Sequence, residues 1–527
     1  MISFWRNSAV LILLLGMATM LAAQQVKTQD GVVEGKTSAD GAVQAFLGIP
    51  FAAPPIGDLR WREPQPVRPW KGVRATKEFS AHCVQGPVFG DMKFSDSGAS
   101  EDCLYLNVWS PSKSGNAKLP VMVWIHGGGF QAGATSEPRQ NGEFLARKGA
   151  VVVSMNYRLG IFGFFSHPDL TKESAHHASG NYGLMDQAAA IRWVKGNIAG
   201  FGGDPDNITI FGESAGSFSV SAQMAAPMTR ELLRHAIGES GAFFGRDMRS
   251  KPLAESEQVG LKFGQSIGAD SLAKLRAMPA QQLLDAVMKQ DPFLFWPNID
   301  GYFLPESVAS IFAKGEQAHV ALLAGWNHDE GNWHMFFGKD APTKENFIAK
   351  VKVDFGAQAD AILKLFPADT DEQMKQSASQ LSTMNFIAFG TWKWLEAQLV
   401  TGQEPVYRFE FDQTPPVDPK SPFAAAGPMA YHSAEIEYVF RTLKSKGLPF
   451  TPDDYAISDI MSTYWANFAR TGNPNSSGLP NWPQYTPLTK YEVMHLQGPV
   501  PTANPDDKRE LYEGMNKALE AGKKASK

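Results

Sequence analysis

Apolar runs rich in β-branched residues begin near residue 105 and recur along the chain at 119–126, 150–156, 207–211, 236–238, 320–325, 406–411 and 492–496. Between them lie segments of helical periodicity at 183–198, 255–267, 270–289, 344–365 and 371–399. Continuous rather than alternating apolar runs suit strands buried on both faces, and their alternation with helices predicts an α/β fold: a large, mostly parallel sheet flanked by helices. Ahead of this pattern, Val32-Val33-Glu34-Gly35 reads as part of an antiparallel hairpin. No repeat of 20 to 50 residues and no low-complexity linker divides the pattern, so residues 24–527 are expected to form one domain. The helical insert between about 245 and 320 follows the mid-sheet strands and is expected to wall or cover the site.

The first 23 residues follow a different pattern. Arg6 precedes an apolar stretch from Ala9 that continues to Ala23, with small residues at Ala22 and Ala23 before Gln24-Gln25. This reads as an export signal covering residues 1–23, and the stretch is short of the roughly 20 apolar residues of a span. A secreted or periplasmic protein without a membrane span is the expectation. Only Cys83 and Cys103 occur, and two thiols in an exported chain suit one disulfide. The net charge of −5, without a Lys/Arg cluster, argues against nucleic acid as a partner.

Two glycine-rich motifs carry the chemistry. Gly212-Glu213-Ser214-Ala215-Gly216 has the Gly-x-Ser-x-Gly pattern, in which a sharp strand-to-helix turn presents a serine. The pattern alone arises by chance in roughly one chain of this length in five, so its context decides. Asn207–Phe211 leads in as a strand and Ser217–Ala226 can continue as a helix, whereas a second candidate at Gly238-Glu239-Ser240-Gly241-Ala242 lacks the final glycine. His126-Gly127-Gly128-Gly129-Phe130 closes an earlier strand, and such glycines can turn backbone N–H groups toward a developing oxyanion. A serine nucleophile needs a base oriented by an acid, both on later loops. Asp329 and Glu330 in one loop both qualify as acid, and spacing does not separate them. Of the later histidines, His495 sits in a strand pattern and His334 lies too near the acid loop, which leaves His432 as base.

These residues resemble the type-B carboxylesterase family, which includes cholinesterases and many bacterial esterases. The similarity runs through Pro50–Pro55, Leu59-Arg60-Trp61, Ser100–Val108, the glycine loop, Asn156-Tyr157-Arg158, Asn181–Gln187, Phe201–Pro205, the serine elbow, Asn327–Gly331 and His432–Ile436. The resemblance implies an α/β-hydrolase fold and a Ser214–His432–Glu330 triad with oxyanion donors at Gly128, Gly129 and Ala215. It further implies a Cys83–Cys103 bridge with an Arg60–Glu101 ion pair nearby, and supporting roles for Glu213 and Ser240 on the histidine side. The expected reaction is hydrolysis of a small-molecule ester through an acyl-enzyme, with no metal or cofactor; oligomeric state stays open. Cholinesterases carry a tryptophan inside the disulfide loop for cation–π capture of quaternary ammonium. Here that loop holds Phe89 and Phe94 but no Trp, which favours a general carboxylesterase over a choline esterase. Phe295, Trp296 and Trp326 are the aromatic residues expected around the substrate pocket. A lipase with a strongly apolar lid is the alternative, and charges such as Arg246, Lys251 and Glu255 in the insert count against it.

Overall fold

Each apolar run from 119 onward becomes a strand of one 11-stranded sheet, and four further segments extend it at the edges. The computed structural model describes residues 24–111, 115–246, 250–419, 424 and 427–525, so the expected leader lies outside it. In chain order the strands are β1 Lys36–Thr37, β2 Gln44–Pro50, β3 Tyr105–Ser110, β4 Leu119–Ile125, β5 Val151–Met155 and β6 Gly203–Glu213. They continue as β7 His235–Glu239, β8 Ala321–Asn327, β9 Val406–Phe411, β10 Glu492–Leu496 and β11 Thr502–Pro505. The sheet order is β11-β10-β9-β8-β7-β6-β4-β5-β3-β2-β1. From β10 to β5 every neighbouring pair is parallel, and the outer pairs at both edges are antiparallel.

The parallel strands read as continuous apolar runs because both faces are covered. In β4, Val121, Val123 and Ile125 enter one core, and Met122 and Trp124 enter the other on the opposite face. Helices α1 (Tyr182–Asn197) and α2 (Ala215–Ala225) lie on the first face, and α2 packs on β6 and β7 with all eleven of its residues buried. Small side chains in α2 (Ala215, Gly216, Ser217, Ser219, Ser221, Ala222) let its backbone approach the strands closely.

Three helical expectations are divided in the structure. The 270–289 segment breaks into Leu272–Ala277 and Ala280–Gln290 at Met278-Pro279, since proline disfavours a helical residue before it. The 344–365 segment turns at Gly356, whose φ of 51° caps Lys344–Phe355. The 371–399 segment stays helical but carries a π-helical turn, Met384–Ala388, between Asp371–Thr383 and Phe389–Thr401. Near the N-terminus, Gln25–Lys27 and Val32–Glu34 form the expected antiparallel hairpin.

Cys83 and Cys103 are bonded, with Cα atoms 5.0 Å apart. Beside them the Arg60 guanidinium makes a two-pronged pair with Glu101, Nε and Nη2 each 2.6 Å from a carboxylate oxygen, and Nη1 donates to Met278 O at 2.7 Å. That arginine thereby ties the disulfide loop to the 245–320 insert.

Candidate active site

The parallel register sets the site at the carboxyl ends of the strands, where loops from different strands converge. Ile125 of β4 lies opposite Gly212 of β6, Glu213 lies opposite Glu239 of β7, and Glu239 lies opposite Gly325 of β8. The glycine loop after β4 and the serine turn after β6 therefore emerge side by side.

Ser214 takes φ 53° and ψ −122° between β6 and α2, a conformation L residues rarely adopt, which turns its hydroxyl out of the strand-to-helix corner. The flanking glycines are steric requirements. A Cβ on Gly216 would stand 2.0 Å from Ile125 O, and one on Gly212 would stand 2.6 Å from the same oxygen. The second candidate motif, 238–242, is the neighbouring corner at the end of β7. Its Glu239 carbonyl accepts from Ser214 N at 2.9 Å and so braces the turn.

The histidine and acid come from two loops clipped together. Asp329 N donates to Ala430 O at 3.0 Å, and Ala430 N donates to the Asp329 carboxylate at 2.9 Å. Between these clips His432 Nε2 lies 2.8 Å from Ser214 Oγ, and His432 Nδ1 lies 2.5 Å from Glu330 Oε2. The other Glu330 oxygen accepts from Asn327 N at 2.8 Å, which fixes the carboxylate's plane. Of the two acids the sequence left open, Glu330 reaches the histidine and Asp329 serves the loop clip.

Glu213 joins the same imidazole from the serine side, with Oε1 3.2 Å from His432 Nε2. Burial pushes its carboxyl up to about 7 despite the opposing pull of His432 and Arg139. Burial would lower the His432 pKa, but the charges of Glu213 and Glu330 outweigh it and raise it to about 9. Ser240 is fully buried at φ 62°, its N–H bonded to Gly325 O at 2.9 Å; its hydroxyl has no hydrogen-bond partner among the described residues and so does not reach His432.

The glycine loop approaches the serine closely: a Cβ on Gly127 would be 3.1 Å from Ser214 Cβ. Gly128 and Gly129 follow with φ 96° and 60°, and Ala215 is the first residue of α2, whose free N–H groups favour an anion. Behind the loop, His126 stacks on Tyr157 with ring centres 4.4 Å apart, and burial lowers it to about 4, keeping it neutral.

The three aromatic expectations separate. Trp296 joins Phe130, Phe218 and Phe243, with its ring centre 5.0 Å from that of Phe130, directly behind the glycine loop and α2. Phe295 faces away into Phe165 and Phe263. Trp326 does not line this cluster: it lies in the core under the Arg408 guanidinium, 4.2 Å from the ring centre, and against Tyr512. Two residues that the sequence reading missed stand closer. Phe293, 44% exposed, comes within 2.9 Å of a Cβ built on Gly129. Phe386, on the π-helical turn, sets its ring edge-on to His432 at 4.9 Å. Met92 and Phe89 of the disulfide loop reach the same glycines, 3.1 and 3.8 Å from the Cβ positions of Gly128 and Gly129.

Known proteins share this architecture. The model of the Carboxylesterase family matches residues 22–511. Fumonisin B1 esterase of Sphingopyxis macrogoltabida is 37% identical over 479 residues, 87% of this chain and 84% of that protein. Para-nitrobenzyl esterase of Bacillus subtilis (strain 168) is 35% identical over 498 residues, 91% of this chain and 96% of that one. Liver carboxylesterase of Sus scrofa is 35% identical over 515 residues, 87% of each chain. Among solved structures, a thermophilic PNB esterase superposes with a TM-score of 0.79 at 33% identity, covering 93% of this chain and 99% of that one.

Proposed function

This chain belongs to the carboxylesterase family, and on that premise we propose that it is an exported hydrolase of small-molecule carboxylic esters working through a Ser214–His432–Glu330 triad. The observation that carries this reading is the unbroken line of hydrogen bonds from Ser214 Oγ through both imidazole nitrogens to Glu330.

Neutral His432 removes the Ser214 proton as the hydroxyl oxygen attacks the ester carbonyl. The N–H groups of Gly128, Gly129 and Ala215 hold the oxyanion, and Glu330 stabilises the imidazolium that forms. The imidazolium then gives its proton to the departing alcohol, leaving an acyl ester on Ser214. Water deprotonated by the same histidine attacks this ester and releases the acid. Loss of residues 1–23 on export accounts for the leader, and the Cys83–Cys103 bridge suits an oxidising compartment. The similar proteins named for para-nitrobenzyl and fumonisin B1 esters support small-molecule esters as the substrate class.

Hydrolysis of p-nitrophenyl esters of graded acyl length, for wild type beside Ser214→Ala, tests this. The expected result is a maximum at short chains and a fall of at least about 10³-fold in kcat for the variant. A maximum at long chains that rises above the micelle threshold would make the protein a lipase. Ester hydrolysis that survives Ser214→Ala would remove Ser214 as nucleophile.

A further inference from the structure

Two histidines and two carboxylates outside the triad meet at the carboxyl ends of β8, β9 and β10. His328 stands one residue beyond β8, Glu410 lies in β9, Asp412 lies just past it, and His495 lies in β10. One donor atom from each of His328, Glu410 and Asp412 falls within 4.8 Å of the other two. His328 Nδ1 is 2.9 Å from Glu410 Oε1 and 3.4 Å from Asp412 Oδ1. We propose that His328, Glu410 and Asp412 form a binding site for a divalent transition cation of the Zn²⁺ type, with water completing the coordination.

The donor chemistry fits an imidazole-and-carboxylate site for a borderline cation. Ligands bound at about 2.0–2.2 Å stand roughly 3 Å apart, so the three donors need only a small inward movement. His495 Nδ1 lies 2.8 Å from the far Asp412 oxygen, the supporting contact that orients a ligating carboxylate. Glu410 is buried and Asp412 nearly so, while the His328 side chain is 51% exposed and provides the entry path. The Lys508 ammonium now neutralises Glu410 from 2.5 Å, on a flexible stem that can swing into solvent. Arg408, the other nearby cation, is buried against Asp506 and sets Nη2 3.7 Å from Glu410 Oε2, which leaves Oε1, the oxygen facing His328, for the cation. Lys508 is therefore the cation's competitor. Occupancy would pin the end of β8, where Asn327 N holds Glu330.

Calorimetric titration of tag-free, full-length, metal-free protein with Zn²⁺ tests the site, with visible absorption of the Co²⁺ form reporting its coordination. One equivalent should bind. His328→Ala and Asp412→Asn should each weaken binding at least tenfold, and His495→Ala by about 10–100-fold. Lys508→Ala should tighten binding, an effect no purely structural role of these residues yields. His176→Ala, at a half-exposed histidine elsewhere beside Glu63, should leave it unchanged. Absence of saturable binding in both wild type and Lys508→Ala, or loss with His176→Ala equal to that with His328→Ala, would overturn the proposal.

Discussion

Glu213 precedes the serine and faces the histidine from 3.2 Å, so it acts on the base more directly than on the nucleophile. Ionised, it holds a proton on His432 and keeps the imidazole from serving as base. Glu213→Gln removes the largest of the influences that raise the imidazole pKa, and burial continues to lower it. The rising limb of the kcat/KM–pH profile should therefore move to lower pH in this variant, and a pH–rate series on one short-chain ester measures it. An unmoved or upward-shifted limb would show that Glu213 does not govern the imidazole. The elbow and His432 were legible in the sequence because tight backbone geometry demands glycines and because only one late histidine stood outside a strand or the acid loop. The acid was not legible from spacing, since adjacent carboxylates on one loop differ only in the direction the folded loop gives them. Phe386 and Phe293 left no signal, because nothing local marks which of 34 phenylalanines a distant loop will bring to the site.

Among elements, the joint between β5 and α1 carries a buried ion pair. Arg158 follows β5 and grips Asp186 of α1 through Nε at 2.8 Å and Nη2 at 2.7 Å, both side chains almost wholly buried. Arg158→Met strands the Asp186 carboxylate and should cost about 3–5 kcal/mol, most of which a paired Asp186→Leu should restore. Denaturant titration of the single and double variants measures both, and equal losses in the two would show that packing rather than charge holds the joint. The parallel strands were readable because burial on both faces leaves unbroken apolar runs. The antiparallel edge strands were not: β1 has two residues and β11 is mostly exposed, so neither carries a periodic signal. The π-helical turn likewise costs the sequence nothing visible, although it is what points Phe386 at His432.

Across the whole molecule the two faces of the sheet are joined beneath the site by Glu239. It ends β7, and its Oε1 accepts from Trp465 Nε1 at 2.7 Å, on the helix Pro452–Thr471. Burial raises its carboxyl from the ordinary glutamate value of 4.5 to about 8. A folded pKa above the unfolded one means this group favours the fold fully below about 4.5, and that contribution is lost as pH rises through about 8. Glu239→Gln keeps an acceptor for Trp465 and stays neutral. Its Tm relative to wild type should accordingly climb between pH 5 and pH 9, and a flat or falling difference in a thermal-shift series would remove burial of this charge as a determinant of alkaline stability. The placement of the triad has its own consequence during biosynthesis. Ser214 and His432 are 218 positions apart, and the strand that precedes the histidine loop comes after almost four-fifths of the chain. A nascent polypeptide exposes its elbow serine long before the base exists, and domains assemble in order of synthesis. Until the final strands dock, the nucleophile is an ordinary alcohol, so turnover itself becomes a readout of completed folding.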